Sequence, residues 1–285
     1  SKLREHRIEP TLETVAEGDV RRYGPFECEF VAVNHSVPDA LALGIRTPAG
    51  LVVHSGDFKM DQLPIDGRIT DLGAFAEFGR AGVDLLLSDS TNAEFPGFVT
   101  SEREVGEELR RIFAAAKGRI ITACFASHVH RVQQIADAAI AFGRKVATLG
   151  LSMKKNMRLA REMGLLHIPE SSIVDIEDIG DFDDGDVCVI STGSQGEPMS
   201  ALSLMAANDS RWLKLGPDDT VILSSHPIPG NEMNVSKVID GLVRLGVRVV
   251  HSGVDDVHAT GHAKQEELKT ILSITRPDWF VPVHG

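Results

Sequence analysis

The stretch GLVVHSGD, residues 50–57, passes from an apolar, β-branched run straight into a polar turn that closes on an acidic residue. A short apolar run bounded by turn residues reads as a strand buried on both faces, as in sheets covered by helices. The glycine before Asp57 lets the chain leave the core while holding a carboxylate at a fixed, half-buried place. Such a carboxylate needs a partner, and a metal ion is one candidate. The pattern recurs in FVAVNHS (30–36), VDLLLSDS (83–90), RIITACFAS (119–127), DVCVISTGS (186–194), TVILSSHP (220–227), RVVHSG (248–253) and WFVPVHG (279–285). Polar groups gathered at strand ends are where α/β folds place their ligands.

Helical patterns lie between these runs. SEREVGEELRRIFAAAKG (101–118) sets Ser101 three residues before Glu104 as a capping box, with Val105, Leu109, Ile112 and Phe113 as its apolar stripe and Gly118 as its stop. HRVQQIADAAIAFG, MKKNMRLAREMG, NVSKVIDGLVRLG and HAKQEELKTILSITRP follow the same scheme. Strand and helix alternate from residue 119 to 250, which predicts a doubly wound domain, whereas residues 1–90 read as strand-rich with short turns. DIEDIGDFDDGD (175–186) carries seven acidic residues, but Gly185 falls one place too early for a calcium loop, so a solvated loop is expected.

At 285 residues, with 42% hydrophobic and 25% charged, the chain can bury a sizeable α/β core. No apolar run reaches the roughly 20 residues that span a bilayer, and the charged start SKLREHRIEP lacks a signal peptide's apolar segment, so no membrane role and a cytoplasmic home are expected. Cys28, Cys124 and Cys188 are widely spaced and read as reduced core residues. A net charge of −12 argues against whole-surface attraction to nucleic acid and confines any such binding to a local groove.

His35 in NHSVPDA, Asp57 in HSGDF, Asp89 in SDST, His262 in HATGH and His284 in PVHG carry the chemistry. Imidazole and carboxylate suit Zn²⁺ or Mn²⁺, and each of these residues closes a predicted strand or a loop near one. Taken singly, each reads equally well as a satisfied core or turn residue.

Taken in order, NHSVPDALALGIRTPAGLVVHSGDFKMD, LLLSDSTNAEFPG, FASHVHRVQQI, STGSQGEP, HATGHAKQEEL and PVHG resemble the metallo-β-lactamase enzymes with a β-CASP insertion, most closely the ribonuclease J family. The resemblance implies an α/β fold: part of a metallo-β-lactamase αββα domain over 1–95, an inserted Rossmann-like β-CASP domain over 96–248, and a return to the first domain over 249–285. It implies two divalent metal ions, zinc with manganese or magnesium as alternatives. His35 would bind one ion, Asp57 would bridge both, and His284 would bind the second. Asp89 would orient the site and His262 would act as proton donor or transition-state stabiliser. A bridging hydroxide would attack the phosphodiester in line.

The same resemblance makes His258, Ala259, Thr260, Gly261 and His262 a substrate-binding segment, with Gly261 small enough for a phosphate to approach the backbone. Ser194, with Gly193 and Gly196, would form a phosphate seat ahead of a helix with Pro198 near its first turn; an ordinary strand-to-helix turn is the alternative. His128, His130 and Arg131 would touch an RNA backbone or simply start a helix, and Lys154, Lys155 and Arg158 read as a solvated helix face.

The implied activity is 5′-to-3′ exonucleolytic removal of nucleotides from RNA with a 5′-monophosphate, with endonuclease cleavage as well, in the processing and decay of ribosomal and messenger RNA. Implied partners are RNA, a second or further copies forming a homodimer or homotetramer, and an RNA-degradation complex. The family's His-x-His-x-Asp-His loop does not occur in these residues; the resemblance puts it before Ser1 and implies a chain truncated at both ends, inactive by itself. Two alternatives stand beside this reading: a catalytically incomplete RNA-binding or assembly module, and a β-CASP nuclease of other substrate preference.

Overall fold

The computed structural model describes Leu3 and residues 6–284. Parts of the charged N-terminal start and Gly285, the last residue of the PVHG motif, lie outside the described residues.

The chain builds two sheets. The first runs β1 (Val20–Tyr23), β2 (Phe26–Ala32), β3 (Leu41–Thr47), β4 (Gly50–His54), β5 (Leu85–Asp89) and β11 (Trp279–Val283), in that spatial order. Its first four strands pair antiparallel, then β4, β5 and β11 run parallel. Helices α1 (Leu72–Ala81) and α7 (Gln265–Thr275) cover one face through Phe75, Phe78 and Ile271, which pack on Val31, Val53 and Leu86. Gly79 makes that covering possible, since a Cβ there would lie 2.1 Å from the Ile274 carbonyl oxygen. The continuous-burial reading holds poorly for this sheet: β3 and β4 alternate between buried and half-buried positions, and β11 leaves Trp279 75% exposed. An antiparallel sheet covered on one side produces that alternation.

The second sheet is wholly parallel, ordered β10 (Arg248–His251), β9 (Thr220–Leu223), β6 (Ile120–Ala123), β8 (Val187–Ser191) and β7 (Lys145–Leu149). Here the strands are buried on both faces. Ile120, Val146 and Cys188 face α2 (Glu102–Ala115), α3 (Val129–Ala141) and α4 (Leu151–Glu162). Their neighbours Ile121, Ala147 and Val189 face α5 (Ala201–Ala206) and α6 (Glu232–Arg244). The architecture is mixed α/β, as the sequence predicts.

Several local expectations need correction. Strand β7 and helix α1 escape the sequence patterns, because KVATL is not apolar enough and α1 holds Gly73 and Gly79. Ser101 does cap α2, but its hydroxyl accepts from the Arg103 N–H, two residues on, and Glu104 makes no return bond; the helix ends at Ala115, ahead of Gly118. The helix expected after the Ser194 turn is the six-residue α5, with Pro198 three residues before its start. The three cysteines are free and buried, with the Cys124 and Cys188 thiols pushed up to about 12 by burial.

Candidate metal centre

The three parallel strands β4, β5 and β11 end at the same edge of the first sheet, so the residues that close them converge. Asp57 follows β4 through Gly56, whose φ of +62° and contact of 2.7 Å between a built Cβ and the Leu41 carbonyl oxygen demand glycine. Asp89 ends β5, buried at 1% exposure, and receives the Phe58 backbone N–H at 3.3 Å, while its own N–H donates to Ser55 Oγ at 2.9 Å. His284 follows β11 at φ +65° and sets Nε2 at 3.1 Å from Asp57 Oδ1.

Two loops bring the remaining imidazoles. His35 lies just beyond β2, where Asn34 is locked by the Lys59 N–H at 2.8 Å and by Thr70 Oγ1 at 3.0 Å. His262 comes from the loop before α7. Asn92 grips that loop by donating to Thr260 Oγ1 at 2.9 Å and to the His262 carbonyl at 3.0 Å.

His35, Asp57 and His262 offer ligand atoms all within 4.8 Å of one another. The His262 ring centroid lies 5.2 Å from that of His35 and 6.4 Å from that of His284, edge-on to both. Three imidazoles and a carboxylate form a donor set suited to a borderline-soft divalent ion. Burial, with His262 alongside, pushes His35 down to about 4, so it is neutral at pH 7 as a ligand must be.

His262 is built differently. Burial opposes charge on it, yet its Nδ1 contact with Asp89 Oδ2 at 2.7 Å, with Asp89 and Asp57 nearby, raises its pKa. Burial likewise works against ionisation of Asp89, but bonds from His262 and from the Thr91 N–H and hydroxyl lower its pKa overall. A carboxylate on Nδ1 leaves Nε2 of His262 directed elsewhere, either to a metal or to carry a proton. The sequence reading gave His262 only the second role.

Of the other predicted site residues, Thr260 and Gly261 adjoin this cluster, whereas Ser194 belongs to the second sheet. Ser194 is buried at 3% exposure, and its carbonyl accepts from Ser225 Oγ at 3.2 Å. Ser225 in turn passes a carbonyl to Ser252 Oγ at 3.3 Å, and that hydroxyl lies 3.4 Å from His226 Nδ1. His258 has a buried Nδ1 without a partner and is pushed down to about 3 by burial, with Arg131 and His128 nearby. The Ala259 side chain packs in the core against the α2 and α3 face, leaving its backbone for any ligand. Gly261 is required for a reason other than phosphate access: a Cβ there would lie 2.5 Å from Ser36 Oγ and 2.9 Å from His35 Nε2.

The expectation for FASHVHR fails in part. Arg131 is 0% exposed and His128 3%, so neither can reach an RNA backbone, and both bind Glu102 instead. His130, half-buried, lies 3.5 Å from Asp66. The helix face with Lys154, Lys155 and Arg158 is exposed, as read. Asn92, Lys59 and Glu102 were missed; the adjacency of Asn92 to the SDST run was the one available signal.

Residues 117–242 match the family model described as Ribonuclease J, beta-CASP domain, and residues 246–285 match that of the Zn-dependent metallo-hydrolase RNA specificity domain. Among similar proteins, the ribonuclease J of Mycobacterium tuberculosis is 51% identical over 284 residues, covering 100% of this chain and 51% of that protein. Ribonuclease J of Thermus thermophilus is 45% identical, with 100% and 50% covered. The chain thus spans about half the length of the curated relatives it matches. A crystal structure of a protein of unknown function from Enterococcus faecalis V583 superposes with a TM-score of 0.68 at 18% identity, over 97% of this chain and 62% of that one, a likeness of fold.

Proposed function

From a chain that belongs to the ribonuclease J family, we infer metal-dependent hydrolysis of RNA phosphodiesters. The observation that carries this is the convergence of His35, Asp57 and His262 within 4.8 Å, with His284 at 3.1 Å from Asp57.

In this reading His35, Asp57 and His284 hold metal, with Asp57 placed between the two histidines to serve two ions. Divalent metal, when bound, offsets the charge of the phosphodiester and makes water a stronger nucleophile at neutral pH. The Asp89–His262 pair keeps a proton available at the same edge, to be given to the leaving oxygen as the P–O bond breaks. Asp89 retains its charge throughout and orients the ring.

The serine and histidine group of Ser194, Ser225, His226 and His258 lies along the carboxyl edge of the parallel second sheet, where α/β folds take phosphates. We assign the 5′-monophosphate end of the RNA to it, which makes 5′-to-3′ removal of nucleotides the main activity and internal cleavage a second one. The boundaries 1–95, 96–248 and 249–285 are kept as the division of labour, metal on the outer two segments and the RNA end on the middle one together with His258 of the last. Three donors are too few for two ions, since each takes three or four protein ligands. We therefore expect these 285 residues alone to be inactive and a polypeptide that adds the His-x-His-x-Asp-His loop to be active.

The test is cleavage of matched RNAs carrying 5′-monophosphate or 5′-hydroxyl ends, with Zn²⁺ or Mn²⁺, by such a polypeptide and by its Asp57→Ala and His284→Ala variants. Loss of hydrolysis in both variants and preference for the monophosphate are expected. Full activity in either variant, or equal cleavage of the two ends, contradicts the assignment concerned.

A further inference from the structure

Arg131 heads the fully buried side chains by volume among the described residues. Its guanidinium contacts four elements at once. Nη2 donates to Glu102 Oε2 at 2.5 Å, Nε to Gln134 Oε1 at 3.1 Å, and Nη1 to the Val257 carbonyl at 2.8 Å and to Ser224 Oγ. Ser224 Oγ donates to the same Val257 carbonyl at 2.6 Å.

Glu102 extends the network towards the metal centre. Its Oε1 takes Lys59 Nζ at 3.1 Å and lies 3.2 Å from His128 Nε2, and its backbone N–H donates to Asp61 Oδ2 at 2.9 Å. Lys59 stands two residues after Asp57, and its N–H holds the carbonyl of Asn34, next to His35.

A buried ion cluster is a poor device for stability, because desolvation cancels most of what the pairing contributes and an apolar set of equal volume would serve as well. It is a good device for geometry. The segment from Val257 to His262 has no regular secondary structure, so side-chain bonds must place it. Asn92 holds its far end; Arg131 and Ser224 hold its near end. Only arginine, with five donors in a rigid plane, serves Glu102, Gln134, Ser224 and Val257 together.

We propose that Arg131 is a positioning residue: through the Val257 carbonyl it fixes the segment bearing His258 and His262 relative to the Asp57 edge of the first sheet. The function of that segment rests on the reading proposed above. The placement does not, and can be measured separately.

The experiment compares Ser224→Ala, Arg131→Lys and Arg131→Met with the parent, all made in the polypeptide that adds the His-x-His-x-Asp-His loop and each with Zn²⁺ added. Melting temperature, bound zinc, amide hydrogen exchange over 257–262, and kcat and KM on 5′-monophosphorylated RNA are measured. Ser224→Ala should melt and bind zinc like the parent, yet exchange about tenfold faster over 257–262 alone and lose about 10- to 100-fold in kcat with KM unchanged. Arg131→Lys, which keeps the charge opposite Glu102, should act in the same direction and less severely than Arg131→Met. Parent-like exchange and kcat in Ser224→Ala, or a loss of melting temperature as the sole effect, would overturn the proposal, and Ser224→Ala decides the matter if the Arg131 variants do not fold. If the parent cleaves no RNA, the functional reading falls and the exchange data still decide the placement.

Discussion

Asp89 and His262 show how much two side chains can set at one edge of a sheet. The His262 pKa is raised above its ordinary 6.5, so its share of stability is complete below that value and is lost as pH rises through the folded pKa. For Asp89, lowered from 3.8, the contribution is complete above that value and is lost as pH falls through the folded pKa. The pair therefore stabilises fully between the two ordinary values and fades outside them. Asp89→Asn should lower the His262 titration midpoint, followed by NMR of the imidazole, and move the alkaline limb of kcat to lower pH; an unchanged midpoint would refute the pairing. Gly261→Ala is a second test at this scale. Its Cβ, 2.9 Å from His35 Nε2, should displace that ring and weaken zinc binding by about tenfold or more in a chelator competition. His35, Asp57, Asp89, His262 and His284 were all recognisable in the sequence because each follows a run that ends abruptly or sits in a compact motif. The burial of Arg131 and His128 was not, since a solvated helix start and a buried ion cluster use the same letters.

Helix α2 begins where the two sheets meet. Ser101 caps it and Glu102, its first residue, is held well below the usual carboxylate range: burial acts against its charge, but Arg131, His128 and Lys59 outweigh burial. Glu102→Ala would leave Arg131 charged without an ion partner in the interior, and Lys59 with Asp61 at 3.9 Å as its remaining carboxylate. That should cost about 3–5 kcal/mol in denaturant unfolding. A loss within the error of the measurement would mean that water replaces the carboxylate. The boundaries of α2, α3, α4, α6 and α7 were readable to within a few residues from their apolar stripes. Strand β7 was not, because it lies at the sheet edge beside β8 and its burial comes from the packed faces of α3 and α4, which outweigh its weak local pattern.

Across the whole molecule, the candidate metal centre draws on segments 249 residues apart, from His35 to His284. The donors present set an expectation for elemental analysis of the dialysed 285-residue polypeptide: about one Zn²⁺ or fewer per chain, falling to background in Asp57→Ala. Two ions retained per chain would mean that these residues complete the site by themselves. The sequence by itself determined the α/β class and the family and singled out five candidate residues that the fold brings to one sheet edge, because strand periodicity, glycine turns and compact motifs are local and survive without coordinates. How each sheet is covered, that His262 lies within 4.8 Å of His35 and Asp57 as a further candidate donor, and that Glu102 and Arg131 tie one sheet to the other were left to the folded chain. Those depend on contacts between residues far apart in sequence, and only packing brings such groups within a few ångströms.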